Sequence, residues 1–66
     1  MQMIPVSSSA ISAIGYDPAT RRMQIRFKQG DTYTFCGVPQ QVFSSFLAAG
    51  SKGRYFESYI RGRYQC

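Results

Sequence analysis

Residues 23–36 read MQIRFKQGDTYTFC, and this stretch decides the fold. Met23, Ile25 and Phe27 alternate with Gln24, Arg26 and Lys28. A period of two belongs to a strand buried on one side. From Thr32 to Cys36 the chain continues in β-branched and aromatic residues, which suit a pleated surface. Lys28-Gln29-Gly30 between them predicts a three-residue hairpin loop. Such a loop ends on a left-handed residue, which Gly30 supplies without a Cβ clash. This loop pairs Phe27 with Asp31, Ile25 with Tyr33 and Met23 with Phe35. One face then carries Met23, Ile25, Phe27, Tyr33 and Phe35, the other Gln24, Arg26, Thr32, Thr34 and Cys36. A slip of one residue would set Tyr33 and Phe35 opposite Arg26 and Gln24, which burial rejects.

Upstream, residues 10–16 (AISAIGY) predict a first strand, with Ser12, Ile14 and Tyr16 on one side and Ile11, Ala13 and Gly15 on the other. Asp17-Pro18-Ala19-Thr20 is a turn: Pro18 sets φ at its second position, and Asp17 can accept a hydrogen bond from the backbone ahead. A loop over residues 18–21 pairs Tyr16 with Met23 and Ile14 with Ile25, and puts Arg21 at a position that favours left-handed backbone. Residues 1–9 read as a loose lead, in which Ile4, Pro5 and Val6 suit a sheet edge because Pro lacks a donor. Ser7, Ser8 and Ser9 read as a solvated run.

Downstream, Gly37-Val38-Pro39 breaks the sheet, and Pro39 suits the start of a helix. Val42, Phe43, Phe46 and Leu47 form one helical stripe. Gly50 stops it, and Ser51 caps a second helix whose stripe is Tyr55, Phe56, Tyr59, Ile60 and Tyr64. Glu57 and Arg61 are spaced for an ion pair, and Gly62 argues against helix as far as Tyr64. The meander's apolar face is the only surface large enough to bury both stripes. The expected fold is therefore α+β: a three-stranded antiparallel β-meander with two C-terminal helices packed on one face, a single domain over residues 1–66.

Composition narrows the function classes. The chain has eight Lys and Arg, three acids and no His, for a formal charge of +5. That charge suits either a polyanion partner or plain solubility. Without His there is no imidazole base and no Ser-His or Cys-His pair. Asp17 and Asp31 are explained by turns, so no paired-carboxylate mechanism is expected and the chain reads as non-enzymatic. Two separated Cys match no zinc spacing, and the glycines form no phosphate loop, so no metal or cofactor is expected. Cys36 and Cys66 read as two reduced thiols without a role. No run approaches the roughly 20 apolar residues of a membrane helix, and MQMIPVSSSA lacks the regions of a signal peptide, so the expected compartment is the cytoplasm.

Val6-x-Ser8, Ile14-Gly15-Tyr16-Asp17, Ile25-x-Phe27-x-x-Gly30-x-x-Tyr33-x-Phe35, Val38-Pro39, Ser51-x-Gly53-x-Tyr55-Phe56 and Ile60 occur in this order along nearly the whole chain. Together they resemble the KTSC domain, a small module at the C-terminus of some lysyl-tRNA synthetases that also stands alone in bacteria and phages. The family carries a central Tyr-x-Tyr. Here it is Tyr33-Thr34-Phe35, without the second hydroxyl. The resemblance implies a fold more than an activity, and its synthetase context suggests RNA binding.

Nucleic-acid contacts are expected from Arg26 and Thr34 on the polar sheet face, Lys28 at the loop, and Arg54, Arg61 and Arg63 around the tyrosine-rich C-terminus. Basic groups among aromatics neutralise phosphates and stack on bases. The tyrosines also have core spacing, and that reading is preferred for them. The competing function is a protein-interaction module or a phage-type regulator of a host protein, a monomer or weak dimer that offers a sheet edge or its polar face to a partner. Clustering of the basic residues on one side separates the two readings; scatter removes the main support for RNA.

Overall fold

The computed structural model describes residues 1–66. Four strands form one antiparallel sheet in the order β1 (Met3–Pro5), β2 (Ile11–Asp17), β3 (Arg22–Phe27) and β4 (Thr32–Phe35). The sheet thus has four strands where the sequence predicts three. The lead is not loose: Met3, Ile4 and Pro5 pair with Gly15, Ile14 and Ala13. The sheet edge anticipated for Pro5 is a full strand, because Gly15 lacks the Cβ that would strike Met3. A Cβ built there would lie 2.6 Å from the Met3 Sδ and 3.0 Å from the Gln2 carbonyl oxygen.

The hairpin forms in the expected register. Met23 pairs with Phe35 and Ile25 with Tyr33, while Phe27 donates its N–H to the Asp31 carbonyl at 2.8 Å. Gly30 takes φ 113°, as the loop requires. The first turn also follows its chemistry. Asp17 Oδ1 accepts from the Ala19 N–H at 3.0 Å, and Arg21 adopts φ 59°. Tyr16 faces Met23 and Ile14 faces Ile25.

One strand departs from simple alternation. The β2–β3 register shifts between Ile11 and Ala13. A bulge puts two residues opposite one and turns the strand over locally. Ile11, expected on the polar side with Ala13, is therefore fully buried with Ile14. Ser12 donates its hydroxyl to the Arg26 carbonyl at 3.2 Å across the bulge.

Helix α1 (Gln40–Ala48) begins after Pro39, and α2 (Lys52–Tyr55) begins at Ser51, whose Oγ accepts from the Arg54 N–H. From Phe56 to Ile60 the second helix widens into a π-helical turn, closed by the Arg61 N–H on the Phe56 carbonyl at 2.8 Å. The wider turn shifts the phase of the stripe. Ile60 is fully buried, whereas Tyr59, expected in the core, is 56% exposed and packs on Tyr55. Gly62 at φ 75° then turns the tail back.

Ile11, Ile14, Met23, Ile25, Val38, Phe46 and Ile60 form the core, between the helices and one face of the sheet. Each such side chain contributes roughly 1.5–3 kcal/mol on burial, before entropy. Tyr16 stacks on Phe43 and donates its hydroxyl to the Val38 carbonyl at 2.6 Å, tying β2 to the loop before α1.

The two cysteines are not free thiols. Cys36 and Cys66 form a disulfide, with their Cα atoms 4.9 Å apart. They are 30 residues apart in sequence, but the turned-back tail runs beside the end of β4, where the Cys36 N–H donates to the Tyr64 carbonyl at 2.9 Å. No helix is long and apolar enough to cross a membrane.

Candidate nucleic-acid interface

The helices cover one face of the sheet and leave the other open. Across that open face run two rows: Met3, Gly15, Gln24 and Thr34, then Pro5, Ala13, Arg26 and Thr32. Each row is apolar in its β1–β2 half and polar in its β3–β4 half. The Gln24 side-chain amide lies 3.5 Å from the Thr34 hydroxyl. Arg26, Thr32 and Thr34 are exposed, and Arg22 follows on the same side by alternation along β3. None of the basic groups on this face is held in an ion pair; the chain's one salt bridge lies elsewhere. The face carries no aromatic residue, so it suits phosphate contact and not base stacking.

The residues singled out from the sequence divide between the two layers. Arg26 and Thr34 share the open face. Lys28, beyond the end of β3, lines a cleft of about 780 Å³ between the serine run and the loop before α2. Arg54 belongs to α2, while Arg61 and Arg63 follow the π-helical turn. Arg54 and Arg61 therefore belong to the helical layer, and Arg63 to the tail that returns beside β4. Arg61 is engaged by Glu57 at 2.7 Å, one turn earlier. That hydrogen bond, with the charge of Glu57, raises the guanidinium above its ordinary range. The eight basic residues thus form no single patch.

The sequence reading passed over two features. The first is Lys52, which lines the same cleft as Lys28. Its place beside Gly50, Ser51 and Gly53 was the available signal. The second is an apolar hollow of about 210 Å³ lined by Phe27, Gln29, Tyr33, Phe35 and Phe56 beside β4. Phe56 meets Phe27 and Phe35 edge-on, with ring centroids 5.3 and 5.8 Å away. Tyr33 stays 49% exposed because the helical layer reaches this corner only through Phe56. No cluster of acids and cysteines is arranged to hold a metal ion.

The KTSC domain family matches residues 7–64, from the serine run to the strapped tail. The chain belongs to the KTSC domain family. The crystal structure of a KTSC domain protein from Yersinia pestis superposes with a TM-score of 0.95 at 46% identity, covering 98% of this chain and 92% of that one. A protein of Tsukamurella paurometabola is 46% identical over 63 residues, 96% of this chain and 94% of its own. A lysine–tRNA ligase of Nostoc is 32% identical over 63 residues, and there the matched region is 11% of the ligase. The KTSC fold thus occurs both in chains of this size and as a small part of a tRNA ligase.

Proposed function

We propose that this KTSC domain is a small non-enzymatic RNA-binding module, working in the cytoplasm, that meets RNA through the β3–β4 half of its open sheet face. The observation that carries the reading is that exposed half-face, which bears Arg22, Arg26, Thr32 and Thr34 with no ion pair to neutralise it. The relative within a lysine–tRNA ligase adds an RNA context. Scatter of the eight basic groups removes the support that a single basic patch would have given, so the reading rests on this half-face and the ligase context alone. Arg54 and Arg61 belong to the helical layer and Arg63 to the tail, so they are not expected to contact an RNA held on the β3–β4 half-face.

Arginine and hydroxyl groups on a flat, aromatic-free surface contact phosphate oxygens. Binding should therefore depend on salt and little on sequence. For single strands log K changes by about −0.7 per phosphate neutralised as log salt rises, so contacts from Arg22 and Arg26 give a slope of about −1.4. Fluorescence anisotropy of labelled single-stranded RNA at several salt concentrations tests this. Arg26→Ala should weaken binding and flatten the slope by about 0.7, whereas Arg54→Ala should do neither. Binding that Arg26→Ala leaves unchanged defeats the proposal.

A second reading has its own observation. The aromatic hollow borders β4, whose outer edge the returning tail already holds at Thr34 and Cys36, so a protein partner would dock by seating an apolar side chain in the hollow. Such a contact would be weakened by Tyr33→Ala and insensitive to salt.

A further inference from the structure

The cleft that Lys28 and Lys52 share presents hydrogen-bond donors and positive charge. Its lining includes four serines and no acid. Ser8 Oγ accepts from the Ala10 and Ile11 N–H groups at 3.2 and 3.3 Å, and Ser51 Oγ accepts from the Arg54 N–H at 3.4 Å. A hydroxyl whose lone pairs are engaged this way keeps its proton to donate elsewhere. Lys52 Nζ spends one donor on the Ala49 carbonyl at 2.9 Å and has two left. Lys28 is exposed and makes no ion pair.

The three acids of the chain are occupied elsewhere. Asp31 receives the Gln29 amide, Glu57 receives Arg61, and Asp17 receives the Ala19 N–H. The cleft's two positive charges therefore have no partner within the molecule. Two ammonium groups and two hydroxyls line the cleft from the lead, the β3–β4 loop and the start of α2, a donor set that complements a phosphate. A volume of about 780 Å³ exceeds what one phosphate fills and falls within the range of small-molecule sites.

We propose that this cleft is a phosphate-binding site for a ligand of mononucleotide size, with Lys28, Lys52, Ser8 and Ser51 as its donors. It stands on this donor set and not on the open-face reading, so either can fail without the other. The ligand is a free nucleotide or the phosphorylated end of an RNA chain.

The test is titration of the 15N-labelled protein, followed by its amide shifts, with adenosine monophosphate, adenosine, and one short RNA made with and without a 5′-phosphate. Saturable shifts at residues 7–9, 28 and 50–53 are expected with the monophosphate and not with adenosine. Loss of two charge-assisted contacts in Lys28→Ala/Lys52→Ala should weaken binding at least about tenfold. Lys52→Arg should retain it and shows that the fold tolerates a change there. Arg26→Ala should leave it unchanged. A preference for the 5′-phosphorylated RNA over both its hydroxyl form and the monophosphate identifies a chain end; equal binding of the monophosphate identifies a nucleotide. With the monophosphate, shifts confined to residues outside the cleft, a response equalled by adenosine, or full affinity in the double variant would overturn the site.

Discussion

Gly15 is the residue on which the fourth strand depends. Its missing Cβ leaves the space that Met1 and Met3 fill over β2. Gly15→Ala should cost about 1–3 kcal/mol in urea unfolding, the usual range for overpacking. Met3→Ala in the same chain should recover part of that loss, because the nearest clash is with the Met3 sulfur. Arg21 gives the opposite sign. A left-handed conformation costs a residue with a Cβ about 1–2 kcal/mol. Glycine removes that strain but gives back about 0.5–1 kcal/mol in chain entropy. Arg21→Gly should therefore stabilise the domain by up to about 1.5 kcal/mol, read in the same unfolding experiment. At Phe46, fully buried beneath Tyr55, truncation to alanine should cost about 3–5 kcal/mol.

The elements that could be read from the sequence are those governed by local chemistry. Asp17, Pro18, Gly30 and Ser51 each act within a few residues, and the register of β2, β3 and β4 follows from them. Features that depend on remote contact were not legible. β1 exists because of a space at Gly15, the bulge in β2 because Ile11 gains burial on the core side, and the π-helical turn because Ile60 displaces Tyr59 from the core. None of these leaves a periodicity in the sequence. The cysteine pair belongs to the same group, since only the return of the tail along β4 brings Cys66 to Cys36. Closing a loop of 30 residues restricts the unfolded chain. In the chain-entropy account this contributes about 3–4 kcal/mol. Cys66→Ser should lose most of that, and a dithiol reductant should lower the unfolding midpoint of the natural chain and leave the variant's unchanged. In a reducing cytoplasm the strap would open, and the domain would rest on its core alone.

At the scale of the whole molecule, the stability margin and the charge pattern decide what the protein can do. Domains hold about 0.05–0.15 kcal/mol per residue, so a chain this short keeps roughly 3–10 kcal/mol in reserve. One core truncation or loss of the strap consumes much of it. The charge is divided: two arginines on the open face, two lysines in the cleft, two arginines with the helices, Arg63 in the returning tail, and Arg21 at a turn. The candidate site was legible to the extent that alternation gave Arg26 and Thr34 one face. It was not legible in Arg54, Arg61 and Arg63, because sequence proximity to tyrosines does not reveal which side of the sheet a helix covers.

The most direct test of the central claim is the amide-shift map of the labelled protein with a short unphosphorylated single-stranded RNA at near-physiological salt. The predicted result is a continuous footprint over Gln24, Arg26, Thr32 and Thr34, with the helical layer silent. A footprint centred on Arg54, Arg61 and Arg63, or no change anywhere, would contradict the assignment of the open sheet face.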